Sequence, residues 1–341
     1  MKTLANHFYR GWVLGVLLVL AVSLPVCGHA GNPARQLPLT TVADVPLPGN
    51  TTRWDYASLD TRRHHLFLAH LGDSAVVVFD TAQRKVIATI PGISQVHGVL
   101  YVPQLDRVYA SATGTNEVVA IDTRTLKIVA RMPGGDYSDG MAYAPDVHKL
   151  YVSDEHGGTD TVIDTASNRR IATIPLGGEV GNTQYDSTSR HIFANAQTHD
   201  QLVEIDPVAD KVIARIDLPG ARGNHGLYID APARIAFIAC EGNNKLVVLD
   251  VASHQVLASF DVAKDPDVLA FDAKLGWLYV AGESGQVSVF KVQGQRVSAS
   301  GTAWLGPNAH VVAVDPTTHR AYFPLKDVQG HPVLRIMQSR S

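Results

Sequence analysis

The feature that most restricts this chain is a spacing. Five segments, VVVFDTAQRKVIATIPG, VVAIDTRTLKIVARMPG, TVIDTASNRRIATIPLG, LVEIDPVADKVIARIDLPG and LVVLDVASHQVLASFDV, each carry an aspartate followed by a turn and an alternating apolar run. The aspartates are Asp80, Asp122, Asp164, Asp206 and Asp250, at intervals of 42, 42, 42 and 44 residues. A unit of that length, with period-two alternation and no helical periodicity, predicts a propeller blade of four strands. The second unit shows the pattern: strands GVLYVP, RVYASA, EVVAID and KIVARMP are separated by short polar turns. An aspartate that closes the third strand can accept hydrogen bonds from turn amides, so its recurrence is architectural.

Units begin near Arg53, Gln95, Tyr137, Val180, Asn224, Pro266 and Asn308. The expectation is an all-β, seven-bladed β-propeller of four-stranded blades over residues 40–341. The last unit supplies only three strands. Its missing outer strand is found at the other end of the chain, where TTVADVPLPG (40–49) matches the endings of the other units. Residues 41–47 should therefore pair with 333–337, closing the ring and removing an edge that would invite aggregation.

Residues 1–30 read as an export signal: Lys2 and Arg10 precede the apolar run WVLGVLLVLAVSLPV, and GHA at 28–30 resembles a cleavage site. That run is shorter than the roughly 20 residues of a membrane-spanning helix. Cleavage after Ala30 would leave a 31–39 linker and a propeller with no stable membrane insertion, in the periplasm or secreted. Cys27 sits in a poor lipidation context. Loss of the two basic residues takes the net charge from -3 to -5, which argues against a nucleic-acid partner. Only Cys240 then remains, so no intramolecular disulfide staples the fold.

The repeats LYVSDEHGGTDTVIDTASNRRIATIPLGG, VYASATGTNEVVAIDTRTLKIVARMPGG and LYVAGESGQVSVF carry a resemblance over residues 40–338. They resemble the YVTN-repeat, YncE-like seven-bladed propellers of bacterial export compartments. The resemblance implies the fold, and implies little about activity.

One departure from that family's pattern carries chemical information. The position just before the innermost strand of each blade is polar throughout: Asp55, His97, Asp139, Asn182, His225, Asp267 and His310. Seven such positions face one axis. With about 51° between blades, the histidines of blades 2, 5 and 7 stand roughly 154°, 103° and 103° apart. Imidazoles and carboxylates converging on an axis are metal-ligand types, and His97, His225 and His310 are the expected metal ligands. Around them, Glu155, Glu241 and Glu283 begin matching hairpins, with Gln197 and Lys326 at the same place in other blades. Arg53, Trp54, Tyr137 and Arg222 lie on the adjoining loops.

Each residue alone has a plain architectural reading, because water satisfies polar groups in a propeller channel. The complete ring asks for a ligand, since like charges crowded on an axis repel unless compensated. The expected function is an exported binding protein holding a small ligand or a divalent metal ion such as zinc, copper or iron at the channel mouth. A metal-dependent lyase or oxidase is the alternative, and a protein-interaction scaffold is the third. A further cluster, Asp154, Glu155, His156 and Asp160, reads as a solvated turn.

Overall fold

The computed structural model describes residues 37–339. The expected export signal lies outside the described residues, as does most of the expected linker. Seven four-stranded antiparallel sheets are present. In the first blade the strands run Ala57–Asp60, His65–His70, Ala75–Asp80 and Lys85–Pro91, from the axis outward. The next five blades repeat this order. In the last blade, Ala313–Asp315, Arg320–Val328 and His331–Ser339 are joined on the outside by Leu39–Pro46. Thr41 pairs with Met337 and Pro46 with Val333, so the ring closes in the expected register.

Local chemistry explains the repeat. The recurring aspartates cap their turns as expected: Asp80 accepts the Gln83 amide at 2.7 Å, and Asp164 accepts the Ser167 amide at 2.7 Å. Each four-residue turn ends on a left-handed residue, among them Arg84, Leu126 and Asn168, the conformation that lets a short turn feed a twisted hairpin.

The two middle strands of a blade are buried on both faces. Val76, Val77, Val78 and Phe79 are at most 1% exposed, whereas the outer strand Lys85–Pro91 alternates between exposed residues and half-buried or buried ones. The apolar side chains gather into seven clusters, each between two neighbouring blades. The cluster joining the last blade to the first contains Leu47, Trp54, Leu66 and Phe79 with Tyr322, Leu334 and Ile336. Leu37 and Leu39 pack into the adjoining one. Among the described residues, no helix is long and apolar enough to cross a membrane.

Candidate metal centre on the propeller axis

The innermost strands bring their first residues together at one end of the channel. In blades 2, 3, 5 and 6 the pairing of the inner strand skips at this point, for instance between Val96 and Val99 and between Asn224 and Leu227. A bulge of this kind turns an extra side chain out of the ladder, and His97, Asp139, His225 and Asp267 are the residues turned. Gln95, Tyr137, Gly223, Asp265 and Asn308, each two residues before a ring residue, are left-handed.

A glycine follows the ring residue in three blades because neighbouring inner strands nearly touch. A Cβ on Gly98 would collide with the carbonyl oxygen of Asp139, and one on Gly226 with that of Asp267. The His-Gly pairs at 97–98 and 225–226 therefore have separate causes. The glycine serves packing, and the histidine faces the pocket.

The polar pocket has a volume of about 170 Å³ and is lined by Arg53, Asp55, Tyr56, His97, Tyr137, Asp139, Glu155, His225, Glu241, Asp267 and Glu283. Six of these are carboxylates and one is a guanidinium. His310, fully buried, joins them from the last blade: its Nε2 lies 3.8 Å from Asp267 and 3.9 Å from Asp55.

Four sequence candidates sit elsewhere. Asn182 faces a second, deeper cavity lined by Val99, Met141, Leu227, Val268 and Leu269. The residue paired like His97 in that blade is Gly181, because Val180 opposes Ala196 as Val96 opposes Ala112. Arg222 and Lys326 are exposed and take no part in lining the pocket. Trp54 is buried, stacked on His70 at 3.8 Å. The cluster read as a solvated turn is also different: Asp154 and Asp160 are fully buried. Asp154 is satisfied by Gly135, Ser138, Thr159 and Thr161.

The ring histidines have fixed orientations. His97 and His310 set Nδ1 against the backbone carbonyls of Gln95 and Asn308 at 2.9 and 3.1 Å, and His225 sets Nδ1 against Gln197 Oε1 at 3.0 Å. Since an acceptor oxygen requires a proton on Nδ1, Nε2 is the nitrogen presented to the axis, as in metal-ligating histidines.

The three imidazoles, expected from their angular spread to share an ion, do not gather into one ligand cluster. Ligand atoms within 4.8 Å of one another form two triads instead, His225–Glu241–Asp267 and Asp267–Glu283–His310. His97 belongs to neither, and its Nε2 is engaged by the Tyr137 hydroxyl at 3.0 Å.

Crowded carboxylates set the protonation of the pocket. Burial raises the Asp139 carboxyl well above its usual range, and Asp55, Glu155 and Asp267 push the same way against His225. Burial also raises Asp267. Glu241 is pushed up to about 7 by burial, with Asp267, Glu283 and Glu155 adding to it. Asp55 moves oppositely: against its burial, His310 and Arg53 hold it below the usual range. Burial would lower His225, but Glu241, Asp267, Asp139 and Glu155 outweigh it and hold the imidazole at about 9.

His225 Nε2 stands 3.8 Å from Asp139 and 3.6 Å from Asp267. These separations are too long for hydrogen bonds. They are close to the edge between two ligands of one tetrahedral ion, about 3.4 Å when each bond is about 2.1 Å. Asp139 Oδ1, Asp267 Oδ1 and His310 Nε2 are buried without a hydrogen-bond partner, a costly state for polar atoms unless something else fills the gap. The donor set therefore fits a divalent cation.

Fold and site together define the class: a seven-bladed β-propeller with two imidazole–carboxylate triads, each built on a buried histidine and the buried Asp267, that could bind a metal. Among solved structures, a chain titled Kuenenia stuttgartiensis hydrazine synthase is similar in fold, with a TM-score of 0.71 and 15% identity, covering 86% of this chain and 97% of that one. No protein-family model matches the sequence, and no curated protein matches it.

Proposed function

We propose that this protein is an exported propeller of the YVTN-repeat, YncE-like kind that binds one divalent cation at the channel mouth through His225, Glu241 and Asp267. The observation that carries this reading is the triad itself: ligand atoms of His225, Glu241 and Asp267 lie within 4.8 Å of one another, and the buried Asp267 Oδ1 has no hydrogen-bond partner and stands 3.6 Å from His225 Nε2. One imidazole with two carboxylates suits a borderline first-row ion such as zinc or iron. Copper, which three imidazoles would have favoured, loses that support. Gln197 supplies the outer hydrogen bond that keeps His225 Nε2 directed at the ion. The same donors would serve a metal-dependent lyase or oxidase, and turnover screening of the loaded protein separates enzyme from binding protein.

The test is metal content. Mature protein prepared without a histidine tag and dialysed against zinc should retain one ion per chain, and His225→Ala or Glu241→Gln should lose it while keeping the melting temperature. Equal metal content in wild type and both variants overturns the proposal. Export is tested separately by N-terminal sequencing, for which Gly31 is the expected first residue.

A further inference from the structure

Resting on that reading, we propose that Asp267 is a bridging carboxylate between two cation positions and that the Arg53 guanidinium is the resident cation of the second. The native chain then takes one divalent ion, and a chain without this charge takes two.

The two oxygens of Asp267 face different histidines. Oδ1 lies 3.6 Å from His225 Nε2, and Oδ2 lies 3.8 Å from His310 Nε2. A carboxylate so placed spans two ions about 3.5–4 Å apart, as in two-metal sites. The second triad is complete in Asp267, Glu283 and His310. His310 is 0% exposed, its Nδ1 is tied to the Asn308 carbonyl, and its Nε2 points at the triad without a partner.

What distinguishes the two triads is Arg53. Its Nη1 contacts Glu283, its Nη2 lies 3.8 Å from Asp267 Oδ2, and its Nε donates to Asp55 at 3.0 Å. Two of the three ligands of the second triad thus already face a cation, and a metal ion there would repel it. No arginine or lysine lines the His225 side of the pocket. Arg53 is the one guanidinium or ammonium group lining the pocket, so removing it leaves Glu283 and Asp267 Oδ2 without their facing cation and opens a seat beside His310.

The probe is zinc alone. Tag-free mature protein, Arg53→Gln, Arg53→Met and the charge-keeping Arg53→Lys are loaded with excess zinc, desalted and counted for metal per chain. The Arg53 side chain is 37% exposed at the mouth, so two different neutral replacements guard against a folding failure in either. Wild type and Arg53→Lys should hold one ion, and the neutral variants two. Adding His310→Ala should return the Arg53→Gln protein to one while leaving the wild-type count unchanged. With manganese, the neutral variants should show an exchange-coupled electron paramagnetic resonance signal that wild type lacks.

One ion in both neutral variants, two in wild type, or two uncoupled manganese ions overturns the bridge. No metal in any protein overturns the binding reading itself, an outcome distinct from the others.

Discussion

The phenol of Tyr56 donates to Asn182 Oδ1 at 2.5 Å, joining the first blade to the fourth across the channel. Tyr56 lines both the polar pocket and the second cavity that Asn182 faces, so this bond forms a floor between them. Burial and the nearby Asp139, Asp267 and Asp55 raise the phenol well above its usual range and keep it a donor. Tyr56→Phe should cost about 1 kcal/mol in denaturant unfolding. Tyr56→Ala should in addition speed the release of bound zinc to a chelator, because the pocket then opens from below. Equal release rates in wild type and both variants would remove the floor from the account.

The close approach at Gly226 yields a second expectation. Gly226→Ala must push the blade 6 strand away from blade 5, moving Asp267 with it. The expected result is a loss of roughly 1–3 kcal/mol in stability together with at least tenfold weaker zinc binding. Titration of a variant that melts like wild type and binds zinc equally well would contradict this.

Ring closure is testable by truncation. Deleting residues 38–48 removes the strand paired from Leu39 to Pro46, the buried Leu39 and Leu47, and the Asp44–Arg335 ion pair. Each buried leucine alone is worth about 2 kcal/mol or more. The melting temperature should fall by at least about 10 °C, and calorimetry showing no fall would reject the closure as a stabilising element.

A pH effect is expected away from the pocket. Asp160 is fully buried, with Oδ1 unpartnered, and burial followed by the charge of Asp154 raises its carboxyl to about 7. The folded chain holds this proton more tightly than the unfolded chain does. Its contribution is therefore fully present below about pH 4 and is lost as pH rises toward 7. Asp160→Asn should gain stability relative to wild type across that window, on the order of 4 kcal/mol by pH 8. A wild-type-to-variant difference that stays constant from pH 4 to 8 would refute it.

The repeat was legible because a hairpin turn constrains residue types at fixed positions, as at Asp80 and Asp164, and because the closing strand repeats the endings of its siblings. The ring on the axis was legible for the same reason, with one slip. Two extra residues fall between blades 4 and 5, as the 44-residue interval from Asp206 to Asp250 already showed. Spreading them over two intervals displaced the assignment from Gly181 to Asn182. The sharing of the site was not legible. A period gives the angle of a side chain around the axis but neither its depth nor its neighbours, so nothing in the sequence shows Tyr137 taking His97 or Arg53 filling the space beside His310.

The pocket draws Asp55, His225, Asp267 and His310 from blades 1, 5, 6 and 7, and the last of these blades contains both Leu39–Pro46 and His331–Ser339. Contacts across nearly 300 residues, such as Thr40 with Gln338, must form before the axis is enclosed. Such long-range pairing comes late in folding. The candidate metal site is therefore the last part of the molecule to form. A growing chain carries these four residues as scattered side chains, and an ion can be gathered by them only once the final strand has docked.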